Sequence, residues 1–499
     1  MPIEHLDVLV VGAGISGISA GYHLQDQCPG KSWAILEARA DIGGTWDLFR
    51  YPGIRSDSDM YTFGFGFKPW TSPKAISDAA TIRTYLHETV REFGIDQHIR
   101  FGHRIRRASW SSYDGTWTVD IDREGAEPLQ LSCNFLFMCT GYYNYEHGYM
   151  PHFPGVEKFK GRVVHPQQWT DDIDWAGKRV VVIGSGATAV TLVPEMAKDA
   201  AHVTMLQRSP TYVVSRPAED ALANRLASFL PRKLVHSLVR VKNVAFGAWF
   251  FSICRRQPEK AKAGLLSLVR KQLPPDFDVA KHFTPKYNPW EQRLCLVPDG
   301  DLFKAIRSGK ASVVTEHIDA FNETGIRLKS GEQLDADLVI SATGLDLKFI
   351  AGLEVIVDDR PVDVTRSLPY KGIMLSNVPN LATVFGYTNA SWTLRADLVC
   401  EYVCRLINHL DEVQANWVTP RVRETDITPT PWVDFSSGYF QRGLNRFPHQ
   451  GSRAPWKTEQ NYPREIMTLR FGGMADTNLE FGRAQTSARG SREALAPTA

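Results

Sequence analysis

Three glycines near the amino terminus have the spacing of a turn that binds phosphate. The stretch "DVLVVGAGISGISAGYHL" (residues 7–24) runs from an apolar strand into Gly12-x-Gly14-x-x-Gly17 and then into a helical pattern. Gly12 permits a tight turn, Gly14 lets the backbone approach a pyrophosphate, and Gly17 lets the helix pack close to the strand. The next strand, "SWAILE", ends at Glu37, at the offset of an acid that bonds ribose hydroxyls. Because a carboxylate repels a 2′-phosphate, this site is predicted to hold FAD or NAD rather than NADP.

A second turn of the same kind lies in the middle of the chain. The stretch "RVVVIGSGATAV" (residues 179–190) contains a Gly-x-Gly-x-x-Ala turn, again between a strand and a helix. The following strand, "HVTMLQRSP", ends without an acid, and Arg208 and Ser209 there can hold a 2′-phosphate by charge and hydrogen bond. The alternative is that Arg208 is a solvated surface charge. We predict an NADPH site, with contacts from Gly184, Ser185, Gly186, Ala187, Thr188, Ala189 and Val190.

Two dinucleotide sites with opposite ribose chemistry imply two redox cofactors, a nicotinamide that passes a hydride to a flavin. The predicted fold is α/β, with two Rossmann-like domains for FAD and NADPH and a helical insertion in the NADPH domain. Two further strands that end in small-residue turns, "FLFMCTG" and "DLVISATG", bracket the second domain. The predicted parts are the FAD domain in 1–150 and 371–482, the linker and NADPH domain in 151–215 and 281–370, a helical cap in 216–280, and a disordered tail in 483–499.

The loop "GGTWDLFRYPGIRSD" (residues 43–57) combines glycines, aromatic residues and charges. Gly43 and Gly44 can pass close to a phosphate, and the aromatic rings of Trp46 and Tyr51 can stack. A Pro-Gly turn then aims the charged triplet at residues 55–57 in a fixed direction. This composition indicates a cofactor-contacting loop rather than a plain connector.

This loop and the stretch "FKGRVVHPQQW" before the second turn carry a family resemblance. Gly43-Gly44-x-Trp46-x4-Tyr51-Pro52-Gly53-x3-Asp57 resembles the long fingerprint of the Baeyer–Villiger monooxygenases. Phe159-x-Gly161-x3-His165-x3-Trp169 resembles that family's shorter fingerprint, although Thr170 stands where the family usually has Pro or Asp. The resemblance implies an FAD-containing enzyme that uses NADPH and O2. Such enzymes convert ketones to esters and oxygenate sulfur in thioethers and thioamides, including thioamide prodrugs, through a C4a-(hydro)peroxyflavin.

The resemblance also implies the catalytic residues. Arg293, in "NPWEQRLCLVP", matches the family's active-site arginine, and Asp57 is its expected partner. An arginine keeps its proton, so it stabilises a developing anion at any working pH. Many relatives have Lys at the position of Gln292, where it helps to bind the NADPH phosphate, so Arg208 and Ser209 carry more of that binding here. His165 is expected to have a structural or gating role, with acid–base catalysis as the alternative.

Further cofactor contacts are expected around the first turn and the loop. Ile105 lies on a strand that in such folds clamps the adenine through its backbone, and Trp392 is expected near the substrate channel. The complete set of FAD-side contacts comprises Gly12, Gly14, Ser16, Gly17, Glu37, Thr45, Trp46, Asp47, Leu48, Arg55, Ser56, Asp57 and Ile105.

Composition excludes several other classes of protein. The chain has 499 residues, 43% of them apolar, and a net charge of +2, so nothing indicates a nucleic-acid partner. Seven scattered cysteines form no CxxC pair, so neither a disulfide framework nor a metal site is expected, and a reducing cytoplasm fits best. The sequence indicates no signal peptide and no membrane-spanning run. The number of subunits and the natural substrate are not predictable.

The segment 225–271 is basic and partly apolar. It carries eleven Lys or Arg and one acid, Glu259, around the apolar run "NVAFGAWFFSIC". Two interpretations stand: a helical subdomain that caps the substrate pocket, which is favoured, and a surface that lies peripherally on an anionic membrane.

Three alternative functions compete with a Baeyer–Villiger enzyme. A flavin monooxygenase acting only on N or S atoms is disfavoured by the fingerprints. A disulfide reductase would need a CxxC pair near the flavin. A non-catalytic redox-sensing module would leave Arg293 without a purpose.

Overall fold

The computed structural model of the chain describes residues 3–433 and 435–485. The strands are β1 (Glu4–Val11), β2 (Trp33–Leu36), β3 (Ile99–Arg100), β4 (His103–Ser111), β5 (Thr116–Arg123), β6 (Ala126–Met138), β7 (Arg162–Val164), β8 (Arg179–Ile183), β9 (His202–Gln207), β10 (Val213–Arg216), β11 (Cys295–Pro298), β12 (Ala311–Thr315), β13 (Ile318–Asn322), β14 (Gly325–Leu328), β15 (Gln333–Asp335), β16 (Leu338–Ser341), β17 (Glu354–Val357), β18 (Arg360–Pro361), β19 (Pro369–Tyr370), β20 (Met374–Leu375), β21 (Leu381–Thr383), β22 (Trp417–Pro420), β23 (Thr430–Pro431), β24 (His449–Gln450) and β25 (Leu479–Gly482). The α-helices are α1 (Ile15–Gln27), α2 (Thr45–Leu48), α3 (Met60–Phe63), α4 (Ala79–Glu92), α5 (Ala187–Met196), α6 (Ala221–Ala227), α7 (Arg232–Arg256), α8 (Pro258–Arg270), α9 (Val279–Phe283), α10 (Asp301–Arg307), α11 (Trp392–Glu412), α12 (Gly438–Gly443) and α13 (Tyr462–Glu465).

The first of two large sheets has a parallel core and an antiparallel extension. Strands β6, β1, β2 and β3 are parallel neighbours, and β21 adds to the carboxyl end of β6. Strands β4, β5 and β6 form an antiparallel meander at the other side. The parallel strands are covered on both faces, which is why β1 and β2 are near-continuous apolar runs.

The second sheet is entirely parallel, in the order β12-β9-β8-β16-β7. Its strands, such as β8 and β16, are again short apolar runs followed by small residues. In each sheet a glycine turn leads from a strand, β1 or β8, into a helix, α1 or α5. The two units confirm the predicted fold class.

The chain returns to the first sheet earlier than the predicted boundary at residue 370. Strand β17 pairs in parallel with β4, so the return occurs at Glu354. Strand β21 then leads into α11, which packs against α1. The physical reason for the difference is that β17 completes the exposed edge of β4, a pairing that leaves no local signal in the sequence.

The insertion between β10 and β11 is helical, as predicted, and comprises α6 to α9. Its long helix α7 packs on α3 of the first unit. Arg240 of α7 donates to the carbonyl oxygens of Tyr61 and Gly64 at 2.9 and 2.7 Å, and Asn243 donates to Asp59 at 2.8 Å. These contacts fix the insertion beside the first unit.

No helix in the described part of the chain combines the length and the hydropathy needed to cross a bilayer. Of the predicted tail, residues 486–499 lie outside the described residues.

Candidate functional site

The first glycine turn is built as its spacing predicts. Gly12 has φ +99°, and a Cβ there would lie 2.8 Å from the Cys139 carbonyl oxygen. A Cβ on Gly17 would lie 1.8 Å from the Gly12 carbonyl oxygen, so helix α1 approaches the strand in a way only glycine allows. No side chain caps the amino terminus of α1, which leaves its first amides available to an anion.

Glu37 directly follows β2 beside this turn and is buried, with 6% of its surface exposed. Its carboxylate accepts from the amides of Ala13 at 2.7 Å and Arg39 at 2.9 Å. Burial raises the pKa of Glu37, and these two amide bonds oppose that rise. The two amides orient the carboxylate at the turn, and each oxygen retains a lone pair for a ribose hydroxyl.

The second turn repeats this arrangement at the carboxyl end of β8. Gly184 has φ +142°, and a Cβ there would lie 2.4 Å from the Ala342 carbonyl oxygen. A Cβ on Gly186 would meet nothing within 4 Å, so this glycine opens onto free space. Helix α5 also lacks a side-chain cap at its amino terminus. Arg208 and Ser209, both exposed, follow the neighbouring strand β9.

Both turns open into one cavity of about 1680 Å³. Pockets for a single drug-sized ligand are roughly 300–1,000 Å³, so this cavity has room for more than one ligand. The predicted residues on its wall are Gly12, Gly14, Ser16, Glu37, Thr45, Trp46, Arg55, Ser56, Asp57, Ile105, Gly184, Ser185, Gly186, Ala187, Thr188, Arg208, Ser209 and Arg293.

Five of the predicted contact residues do not line this cavity: Gly17, Asp47, Leu48, Ala189 and Val190. Asp47 instead accepts from Arg39 at 2.6 Å and from Arg50 at 2.5 Å, and its side chain is 4% exposed. Leu48, Ala189 and Val190 are buried in the hydrophobic core of the second unit. These residues lie behind the cavity wall, because on a helix only residues three or four apart share a face and the others point away from the ligand.

No residue of the predicted cap, 216–280, lines the cavity either. The favoured prediction, that this segment caps the substrate pocket, therefore has no support in the geometry. The segment lies away from the cavity because the hydrogen bonds of Arg240 and Asn243 direct the inner face of α7 toward α3.

Arg293 and Asp57 form a two-bond ion pair on the cavity wall. Arg293 Nε lies 2.6 Å from Asp57 Oδ2, and Nη2 donates to Oδ1 at 2.8 Å. The carboxylate of Asp57 raises the pKa of Arg293 further above its ordinary value, against the effect of burial. Since 37% of the Arg293 side chain remains exposed, the cation is accessible from the cavity.

Three tyrosines surround this pair, and none of them was predicted from the sequence. Tyr142 and Tyr143 directly follow β6 and its glycine turn, with their hydroxyls 3.5 Å apart, and Tyr439 comes from α12. Burial raises the pKa of all three phenols, which keeps their O–H groups protonated. An aromatic pair immediately after a strand and glycine turn was the available signal for Tyr142 and Tyr143.

The loop of residues 43–57 joins the two units. Arg55 donates to Asp301 of α10 at 2.6 Å, while its buried Nη2 has no partner among the described residues. Burial raises the pKa of Tyr51 to about 12, opposed by a hydrogen bond with Thr188 on α5. This loop of the first unit thus contacts α5, the helix that follows the second glycine turn.

His165 lies at the junction but not on the cavity wall, and it is 5% exposed. Its Nδ1 accepts from the Gln167 amide at 3.2 Å, so its Nε2 is the donor to the Gly344 carbonyl oxygen at 3.0 Å. Burial lowers the pKa of His165, which favours this neutral form. Both ring nitrogens are engaged by backbone, which supports a structural role over acid–base catalysis.

Trp392 begins helix α11 and lines the cavity. Its indole Nε1 donates to the Ser16 hydroxyl at 2.8 Å, so α11 is fastened to the first turn.

The donor groups fit two dinucleotides, because each turn offers uncapped helix amides and glycines that line the cavity. A carboxylate, Glu37, lies beside the first turn, and a cation, Arg208, lies beside the second. A flavin-binding monooxygenase-like family model matches residues 6–383. The FAD-containing monooxygenase EthA of Mycobacterium tuberculosis is 53% identical over 96% of this chain and 98% of its own length. The chain belongs to the flavin-binding monooxygenase-like family, which confirms the predicted class of enzyme.

Solved structures share the fold at low sequence identity. A steroid monooxygenase bound to NADP covers 96% of this chain and all of its own, with a TM-score of 0.75 and 22% identity. The enzyme OTEMO in complex with FAD and NADP covers the same shares, with a TM-score of 0.73 and 20% identity.

Proposed function

We propose that the protein is an FAD-containing monooxygenase that uses NADPH and O2 to convert ketones to esters and to oxygenate sulfur in thioethers and thioamides. The observation that carries the proposal is the accessible Arg293–Asp57 pair on the wall of a cavity that both dinucleotide turns share. The names of relatives and structural neighbours, which mention FAD and NADP, support the same cofactors.

FAD is assigned to the first turn, where Glu37 is placed for ribose hydroxyls and would repel a 2′-phosphate. NADPH is assigned to the second turn, where Arg208 and Ser209 supply a cation and a hydroxyl for that phosphate. When bound, these groups supply hydride transfer from nicotinamide to flavin and the activation of O2.

The protein's own contribution is a fixed charge and fixed donors. Arg293 stabilises negative charge that develops on an oxygen atom, because its guanidinium stays protonated. Asp57 holds that guanidinium in one orientation through two bonds. The phenols of Tyr142, Tyr143 and Tyr439 stay neutral and are available as hydrogen-bond donors to a polar substrate atom.

The test is product analysis with ¹⁸O2, NADPH and two substrates, a simple ketone and a thioether. We expect labelled ester and labelled sulfoxide from the wild type. Arg293→Ala should lower kcat for ester formation by about 10²- to 10³-fold, the usual cost of a lost oxyanion donor. Arg327→Ala is the matched control, since Arg327 pairs with Asp319 on the surface and does not line the cavity.

Other results would contradict the proposal in different ways. Sulfoxide without ester would indicate an enzyme for heteroatoms alone. NADPH consumption that yields hydrogen peroxide and no oxygenated product would indicate an oxidase.

We also propose that this enzyme works in the cytoplasm and contacts an anionic membrane surface peripherally through α7. Leu234, Leu238, Val241 and Trp249 of α7 are 46%, 47%, 68% and 57% exposed, at spacings that place them on one side of the helix. Basic residues Arg232, Lys233 and Arg256 lie near its two ends. This combination of an exposed apolar stripe and basic ends fits an interfacial helix.

Co-sedimentation with vesicles tests this contact. Wild-type protein should bind vesicles that contain anionic lipid at low salt and bind neutral vesicles less. Val241→Ser with Trp249→Ser should weaken binding, whereas Met467→Ser, an exposed apolar residue elsewhere, should not. Equal recovery with and without anionic vesicles would refute the contact.

A further inference from the structure

Arg442 on α12 is held in place by an aromatic ring and a carbonyl oxygen, but it has no salt bridge among the described residues. Its guanidinium carbon lies 3.5 Å from the centre of the Tyr149 ring, and its Nη2 lies 3.5 Å from the Thr343 carbonyl oxygen. A Cβ on Gly344 would come within 3.1 Å of the same nitrogen. The guanidinium therefore lies over an aromatic ring, directly beyond the carboxyl end of β16.

Arg208 approaches the same region from the other side of the second turn. It follows β9, and β9, β8 and β16 are consecutive neighbours in the second sheet. Neighbouring strands are about 4.8 Å apart, so the ends of β9 and β16 are separated by roughly 10 Å, with the glycine turn between them. Both arginines line the shared cavity, and their side chains are long enough to converge in front of the turn.

Within the described part of the chain, neither cation is directly paired with an acid. Among the residues that the structure describes, neither arginine forms a salt bridge. The carboxylate of Asp346 is taken by Arg446, at 2.5 and 3.1 Å. Burial lowers the pKa of Arg442, Tyr149 and Asp346 oppose that shift, and the charge of Arg208 adds to it. Two like charges held toward one space destabilise the protein unless an anion occupies that space.

The nature of that anion follows from the site. Paired guanidinium groups recognise phosphate through parallel hydrogen bonds, and the space lies beside a turn that is already assigned to a dinucleotide. A dinucleotide offers two phosphate sources, the diphosphate and the 2′-phosphate. The turn and the amino terminus of α5 already supply hydrogen-bond donors for the diphosphate. The 2′-phosphate, by contrast, would be bound only by Arg208 and Ser209.

We propose that Arg442 and Arg208 together bind the 2′-phosphate of NADPH, which makes Arg442 a determinant of coenzyme specificity. This inference rests on the proposed use of NADPH. We call the pair of Arg442 and Arg208 the clamp. Its two arginines come from distant parts of the chain, because α12 belongs to the segment that returns to the first unit. Coenzyme binding would then hold α12 in place over the second sheet.

The test measures nucleotide binding to the oxidised, flavin-loaded protein by calorimetry, without turnover. The ligands are NADP⁺, NAD⁺ and 2′,5′-ADP, which carries the 2′-phosphate but no nicotinamide diphosphate linkage. We expect Arg442→Gln to weaken NADP⁺ and 2′,5′-ADP by about 10- to 100-fold, the usual cost of losing charged hydrogen bonds, and to leave NAD⁺ unchanged. Arg442→Lys should recover part of the loss.

Arg327→Gln is the matched control, because Arg327 is paired with Asp319 on the surface and does not line the cavity. It should leave all three affinities unchanged.

Several results would overturn the inference. Equal losses for NADP⁺ and NAD⁺ with unchanged 2′,5′-ADP would place Arg442 on the diphosphate. Unchanged affinities in Arg442→Gln and Arg442→Lys, in a wild type that prefers NADP⁺, would refute the clamp alone. A wild type that binds NAD⁺ as tightly as NADP⁺ would refute both the clamp and the proposed use of NADPH.

Discussion

At the scale of the residue, the site depends on a few atoms whose positions are enforced from outside. Arg293 is oriented by Asp57, Glu37 by two backbone amides, and Trp392 by the Ser16 hydroxyl. Each contact joins parts of the chain that are distant in sequence, apart from the bond between the Arg39 amide and Glu37. The chemistry at Arg293 is therefore preorganised by partners that do not themselves react.

Gly17 and Gly186 belong to similar turns, but their replacement by alanine is expected to have different effects. A methyl group on Gly17 would meet the Gly12 backbone at 1.8 Å, whereas one on Gly186 would meet nothing within 4 Å. Gly17→Ala should destabilise the protein and release flavin, because α1 cannot move away from β1 without opening the core.

Gly186→Ala should retain its flavin and its melting temperature but bind NADP⁺ roughly tenfold or more weakly, since one extra methyl group in a fitted pocket costs about 1–3 kcal/mol. Flavin absorbance, thermal melts and calorimetry separate the two variants. A destabilised Gly186→Ala, or a stable Gly17→Ala with full flavin, would contradict the geometry.

Residues near a glycine turn were the predictable part of the site, because the turn, the strand and the acid or cation follow one another within a short stretch. Tyr439 and Arg442 could not be predicted, because α12 is brought to the cavity by tertiary contacts alone. Asp47 was predicted as a contact from its position in the loop, but its carboxylate is drawn away by Arg39 and Arg50. Sequence spacing does not report such competition between partners.

At the scale of the element, helix α7 is anchored by buried polar groups. The buried His236 accepts from the Trp70 amide through Nδ1 at 3.1 Å, and its Nε2 has no partner in the described residues. Burial, together with the charge of Arg240, lowers the pKa of His236 to about 4 from an ordinary value of 6.5. His236 is therefore neutral in the folded protein at physiological pH.

This shift has a consequence for stability with a definite sign. Between pH 6.5 and about pH 4, the unfolded chain protonates His236 and the folded chain does not, so stability falls as the pH falls through this window. The loss from this group is at most about 3 kcal/mol. Denaturant titrations at several pH values should show a weaker pH dependence for His236→Gln than for the wild type below pH 6.5. Parallel curves for the two proteins would show that His236 titrates normally.

At the scale of the whole molecule, the two units are joined by specific polar contacts around the cavity. Arg55 of the first unit pairs with Asp301 of the second, with side-chain exposures of 13% and 28%. The overall arrangement was predictable because each unit has its own strand–turn–helix signature. The placement of the helical insertion and the early return at β17 were not, because both depend on which surfaces remain uncovered after the sheets have formed.

The pair between the units can be tested with a double-mutant cycle. Arg55→Ala and Asp301→Ala should each lower kcat and raise the KM for NADPH, because the relative position of the two units loosens. The double variant should be little worse than either single variant, which corresponds to a coupling of about 0.5–3 kcal/mol. A cycle on the surface pair Arg327–Asp319 should show almost no coupling and no change in kcat. Additive effects in the first cycle would show that the pair does not act across the junction.

The interleaved path of the chain has a consequence for its synthesis. Strand β6 gains its partner β21 only when residues 381–383 have left the ribosome, and β4 gains β17 only when residues 354–357 have. The second sheet, by contrast, closes when β16 is complete at residue 341. The unit that begins first is thus finished last, and its apolar strands remain incompletely covered while the inserted unit folds. Nascent chains of this protein should depend on chaperones mainly during that interval.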